Sequence, residues 1–178
     1  LNKPIVSDGT VVTYYYKNEN EEHTHTWSAW KYNNDAVYNS SSDYKDGTQT
    51  RTCSVCGESE TKEAPNTALL RRRGNALSLE SSITLATYIT KDVVDYYDEV
   101  YAEFTRNGKT EKVYPAGKTL TSKSNVYCIF DYTGISPQAL GDDVSITFYG
   151  VKDGVTYNGN AYKYSATDYI KSTLNKPT

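Results

Sequence analysis

The chemistry this chain could carry is concentrated in two cysteines and two histidines. Cys53-Ser54-Val55-Cys56-Gly57 sets two thiols with two residues between them, a spacing that lets both sulfurs reach one tetrahedral metal ion. Gly57 then lets the backbone turn so that its amides face the sulfurs. His23 and His25 are the only histidines, and a His-x-His pair in extended chain points both rings to the same side. Together they make a two-cysteine, two-histidine donor set for a structural zinc ion, whose binding free energy could fold a segment that lacks a core. An oxidised Cys53–Cys56 pair and two idle thiols remain open on the same residues. No general base accompanies an open coordination position, so a metal here would be structural.

Other chemistry is thin. Paired acids such as Asp142-Asp143 and Asp98-Glu99 sit beside Gly or Tyr at turns, and the C-terminal half has no histidine. No nucleophile-and-base pairing emerges, so the chain is expected to be non-catalytic. Asp43, Asp46 and Asp153 do not build a calcium loop. Trp27 and Trp30 support two readings: rings on which a sugar stacks, or the packing of a small module. Cys128 lies in the alternating run Val126-Tyr127-Cys128-Ile129-Phe130, where Val126, Cys128 and Phe130 would face inward and the thiol would be inert.

The elements that must position these residues are strands. Hydrophobic residues make up 37% of the 178, less than a compact single domain usually holds, and mean hydropathy is -0.69. Residues 17–66 hold almost no aliphatic side chains, whereas residues 76–151 carry most of the Val, Ile, Leu and Phe. Eighteen tyrosines against three phenylalanines favour sheet faces that are half wet. Val11-Val12-Thr13-Tyr14-Tyr15-Tyr16 has strand composition. From Leu77 the pattern runs with period two: Leu77, Leu79, Ile83, Leu85; Val100, Ala102, Phe104; Val144, Ile146, Phe148. Turn signals fall at Asn107-Gly108, Gly141-Asp142, Asp153-Gly154 and Asn158-Gly159. Ala166 to Leu174 is the one segment that reads as a helix.

These features predict an all-β chain: a small β-hairpin, zinc-ribbon-like module over 1–65, then an immunoglobulin-like β-sandwich over 66–178 with a short C-terminal helix. Arg71-Arg72-Arg73, the only basic run, reads as a solvated linker between them. Net charge is -3 and the isoelectric point about 5.4, so no electrostatic footprint for nucleic acid exists. No run of apolar residues is long enough for a membrane span. A start at Leu1, no methionine anywhere, and the echo of Leu1-Asn2-Lys3-Pro4 in Leu174-Asn175-Lys176-Pro177 lead us to expect a piece of a longer, modular protein.

His25-Thr26-Trp27-Ser28-Ala29-Trp30, followed by Asp46-Gly47-Thr48-Gln49-Thr50-Arg51-Thr52-Cys53-Ser54-Val55-Cys56-Gly57, resembles short repeats in surface proteins of gut Firmicutes. The resemblance implies a metal knuckle of one histidine and three cysteines, the third lying between the tryptophans and the Asp-Gly turn. This chain lacks that cysteine. Its place falls on Tyr38 counted forward from Trp30, or on Asp43 counted back from Gly47, and Asp43 or His23 would then complete the set. Ala76-Leu77-Ser78-Leu79, Glu103-Phe104-Thr105 with Asn107-Gly108, Gly141 to Tyr149, and Tyr164-Ser165 with Tyr169 are similar to an uncharacterised β-sandwich module of the same protein class. The resemblances imply a secreted or cell-surface location and a spacer or interaction role beside neighbouring domains of the parent chain. Binding of a polysaccharide or host glycan is the alternative.

Overall fold

The computed structural model describes residues 6–7, 10–11, 23–80 and 82–174. Most of the Val11–Tyr16 strand expectation and most of the Leu-Asn-Lys-Pro echo lie outside the described residues. The chain is all-β. Strands β1 (Val6–Ser7) and β2 (Thr10–Val11) pair with each other. Next come β3 (Lys31–Tyr32), the hairpin β4 (Val37–Ser40) and β5 (Asp43–Lys45), and the longer hairpin β6 (Gly47–Thr52) and β7 (Ser59–Ala64). β3 adds to the β6 edge, giving a three-stranded sheet.

A 3-10 turn at Thr67–Leu69 leads into the second half. There β8 (Gly74–Leu79), β9 (Ile83–Thr90), β12 (Thr119–Ser122) and β13 (Asn125–Ile135) form one sheet in the order β12-β13-β9-β8. β10 (Glu99–Arg106), β11 (Lys109–Val113), β14 (Val144–Lys152), β15 (Val155–Asn158) and β16 (Tyr162–Tyr164) form the other, in the order β11-β10-β14-β15, with β16 further along the same β14 edge. All pairs are antiparallel. With β8 as strand A, these orders are the D-E-B-A and C′-C-F-G sheets of an immunoglobulin-like sandwich.

Alternation explains why the two sheets pack. Val100, Ala102 and Phe104 of β10 and Val144, Ile146 and Phe148 of β14 are buried, and their odd-phase neighbours mostly face outward. Phe104 stacks on Tyr132 at 5.0 Å and Phe130 meets Phe148 edge-on at 5.2 Å, both across the sandwich. Asn107-Gly108 and Asp153-Gly154 close the β10–β11 and β14–β15 hairpins, all four residues having positive φ as a primed turn requires. The C-terminal helix, here α2, spans Ala166–Leu174.

Four local expectations are corrected. Val126 and Leu79 have the inward phase but sit near strand ends, and they are 38% and 61% exposed, while Cys128 and Phe130 are buried. Asn158-Gly159 does not close a hairpin. The chain there shifts register along β14 and passes so close to Leu70 that a Cβ on Gly159 would lie 1.6 Å from the Leu70 carbonyl oxygen. A second helix, α1 (Lys91–Tyr96), joins β9 to β10; at six residues it is too short for periodicity to reveal. Finally, Arg71 and Arg73 are half-buried, so the basic run is not a solvated linker.

The small sheet is packed against the sandwich. Ala64 belongs to the same buried cluster as the sandwich core, and Tyr32 lies edge-on to Tyr157 at 5.3 Å. The Tyr157 hydroxyl donates to Gln49 Oε1 at 3.0 Å, inside the contact. Thr67 Oγ1 accepts the Gly47 N–H at 2.7 Å and donates to the Ala64 carbonyl, and the Asp46 carboxylate accepts the N–H groups of Asn66 and Ala68. These bonds tie the turn at the end of β7 to the start of β6.

Candidate metal centre

The centre sits at the tip of the β6–β7 hairpin. Thr52 and Ser59 are its last paired residues, and Cys53 to Glu58 make the loop. The Cys53 N–H donates to the Glu58 carbonyl at 2.8 Å and the Gly57 N–H returns to the Cys53 carbonyl at 3.0 Å. Gly57 has φ +78°, a conformation that L side chains adopt only with strain. The Val55 N–H points at Cys53 Sγ, 3.4 Å away. The sequence Cys-x-x-Cys-Gly thus folds locally into a knuckle with its amides aimed at sulfur.

The histidines arrive on a separate extended segment. Trp27 and Cys53 form an antiparallel bridge, flanked by Ser28 N–H to Thr52 carbonyl (3.0 Å) and Ser54 N–H to Thr26 carbonyl (2.9 Å). The two-residue side-chain period puts His23 and His25 on one side, above the knuckle. His23 Nε2 lies 3.8 Å from Cys53 Sγ, and His25 Nδ1 lies 3.6 Å from Cys56 Sγ. All four donor atoms fall within 4.8 Å of one another, close enough to bind one metal ion. A tetrahedral ion with metal–sulfur bonds near 2.3 Å and metal–nitrogen bonds near 2.0 Å would set adjacent N and S atoms roughly 3.5 Å apart, so the spacing fits. Cys53 and Cys56 are free thiols, as is buried Cys128.

Electrostatics prepare one sulfur for a cation. Removal from water pushes the Cys53 thiol up, but hydrogen bonds from the Cys56 backbone, His23, the Val55 backbone and His25 outweigh it and hold the group down to about 5. Burial instead pushes the Cys128 thiol up. The His25 ring is fixed on three sides. Its Nδ1 faces Cys56, its Nε2 lies 3.5 Å from Glu58 Oε2, and its face stacks on Trp27 with centroids 4.7 Å apart.

The sequence-level site residues divide accordingly. His23, His25, Cys53 and Cys56 come together; Asp43 does not join them. Asp43 lies on β5, exposed, with its carboxylate accepting from the Asn39 amide at 2.9 Å. It precedes the start of β6 and Cys53 follows that strand's end, so the six residues of β6, roughly 20 Å of extended chain, lie between them. Trp27 and Trp30 are half-buried, and the Arg51 guanidinium lies 4.7 Å from each ring centroid while pairing with Glu60 at 2.6 Å. Lys62 lies over Trp30 at 4.3 Å. Sequence reasoning missed Glu58 and Arg51. The signal for Glu58 was an acid directly after Cys-x-x-Cys-Gly, where the loop closes on the Cys53 N–H.

No protein-family model matches the chain, and no curated protein is similar to it.

Proposed function

We propose that this chain is a non-catalytic, extracellular spacer and interaction module, in which a structural zinc ion held by His23, His25, Cys53 and Cys56 clasps the small β module. The observation that carries the reading is the convergence of four soft donor atoms within 4.8 Å in a segment with almost no apolar core. Among hydrophobic residues 23–63 of the chain, Cys53 alone is buried. Two imidazoles and two thiolates in a tetrahedral set suit zinc better than hard oxygen-seeking cations, and four protein ligands close the coordination sphere against substrate. Both ring nitrogens of His25 are engaged, which leaves neither for proton transfer to a bound molecule. Zinc would add folding free energy here by fixing the segment that bears the histidines to the hairpin tip.

The spacer role is supported by the join between the two sheets. Ala64, Tyr32 and the Gln49–Tyr157 hydrogen bond make it packed rather than loosely tethered. Polysaccharide binding on Trp27 and Trp30 is less well supported, because Arg51, Lys62 and His25 already lie against those rings. A surface location beside other domains accords with this reading.

The test is native mass spectrometry of protein purified without chelator, followed by hydrogen exchange before and after chelation. One zinc per chain is expected, with amides of 23–32 and 53–58 losing protection on chelation while β10 and β14 keep theirs. Protein free of metal, with Cys53 and Cys56 joined by a disulfide, would sink the proposal. Retention on an insoluble polysaccharide that Trp30→Ala abolishes would replace the spacer reading with the glycan one.

A further inference from the structure

The Arg71-Arg72-Arg73 run is not a linker but the approach to a small cavity. The Arg71 N–H donates to the Leu69 carbonyl, closing a tight turn at Leu70, and the Arg73 N–H donates to the Tyr88 carbonyl at the entry to β8, both at 2.8 Å. Arg72 goes to Tyr162 and Tyr164, with its guanidinium 4.6 Å and 5.4 Å from their rings. Arg71 and Arg73 go together to the other side, where they lie 3.3 Å and 6.0 Å from the centroid of Tyr38.

Two like charges on one ring are an unbalanced arrangement. Among the described residues, Arg51 and Arg106 each have a carboxylate partner, but none lies within ion-pairing distance of Arg71 or Arg73. The Nε–H of each is buried and donates to nothing. A buried donor without an acceptor is costly, and more so when the group is charged. Burial, and then the charge of Arg73, push the Arg71 guanidinium below its ordinary range, with Tyr38 opposing. Beside Arg71 is a cavity of about 160 Å³, lined by Tyr38, Arg71, Gly159 and Asn160 together with apolar side chains such as Val37 and Leu70; Arg73 lies outside the lining. Gly159, one of the lining residues, passes the Leu70 carbonyl so closely that no side chain fits there.

We propose that Arg71, with the charge of Arg73 beside it, Tyr38 as the wall and Asn160 in the lining, forms a binding site for a small oxyanion, such as a sulfate or carboxylate group. Guanidinium forks match such oxygens in plane and can offer two parallel hydrogen bonds each. The anion balances charge that no carboxylate among the described residues pairs with, and it meets the terminal guanidinium nitrogens of Arg71, since the Nε atoms are sealed from the cavity. The same oxyanion can arrive free or carried on a sugar. Tyr44, 46% exposed and stacked on Tyr38 at 6.1 Å, offers a face beside the cavity for the carrier. This site is independent of the metal centre.

The experiment is an NMR titration of the whole chain with sodium sulfate and sodium acetate, against sodium chloride at matched ionic strength. Sulfate or acetate is expected to give saturable shifts at the amides of Arg71, Arg73 and Asn160 that chloride does not reproduce. Joint Arg71→Gln and Arg73→Gln substitution is expected to weaken the interaction about tenfold or more, whereas Arg72→Gln leaves it unchanged. If the glutamine pair does not fold, Arg71→Lys with Arg73→Lys keeps the charge but loses the forks, and weaker binding is again expected. A 6-sulfated N-acetylglucosamine that binds more tightly than inorganic sulfate identifies a saccharide carrier; equal affinity identifies the free ion. Shifts matched by chloride, or affinity undiminished in either double variant, overturn the proposal.

Discussion

Replacing Glu58 by Gln should weaken metal binding by about tenfold, through His25 and without touching a ligand. Glu58 Oε2 lies 3.5 Å from His25 Nε2, and His25 Nδ1 faces Cys56. The carboxylate therefore favours the tautomer that carries its proton on Nε2 and leaves Nδ1 free to ligate. Partners of this kind are worth about 10- to 100-fold in metal affinity. The Glu58 side chain is 64% exposed, so solvent screens it and the effect falls at the weak end of that range. The lower end, near tenfold or about 1.4 kcal/mol, is the expected loss. Competition for zinc against a chromogenic chelator measures it, and long-range nitrogen–proton NMR reads the tautomer. A merely structural role for Glu58 would leave the His25 tautomer unmoved. Unchanged affinity, or a metal-bound His25 carrying its proton on Nδ1, would refute the argument.

Tyr157→Phe should cost about 1–3 kcal/mol in chemical denaturation, because Gln49 Oε1 loses its donor inside the contact between sheets; a loss much below that range would mean the contact is wetter than it looks. Acid should erode both halves of the molecule. Hydrogen bonds from the Thr48 backbone and hydroxyl hold the Asp35 carboxyl below its ordinary 3.8, and Lys152 with the Asp153 backbone does the same for Asp98. A carboxyl depressed on folding contributes stability that is complete above its unfolded value and is lost as pH falls through the folded one. The joint Asp35→Asn and Asp98→Asn variant should thus show a flatter loss of stability below about pH 4, and an unchanged acid limb in pH-dependent denaturation would contradict the assignment.

Sequence alone determined what is local. Period two in Val100, Ala102, Phe104 and in Val144, Ile146, Phe148 fixes which face of each strand is buried, because successive side chains must point oppositely. Asn107-Gly108 and Asp153-Gly154 announce their hairpins, since few other residues accept two positive φ angles in succession. The knuckle at Cys53 to Gly57, and the common side of His23 and His25, follow from chain geometry over five and three residues. What joins positions far apart was left to tertiary structure. Residue types gave His23 and His25 with the two cysteines, while the resemblance left Asp43 or His23 to complete the set; the strand β6 carries the knuckle away from Asp43, and the Trp27–Cys53 bridge brings His23 and His25 to it. Glu58 becomes a partner of His25 only once that bridge exists. Likewise, the arginine run reads as solvated charge until Tyr38, 33 residues upstream of Arg71, folds beneath it. The reason is common to all three: periodicity and turn chemistry act over a few residues, while the register between segments is decided by which pairing buries and satisfies the most groups at once.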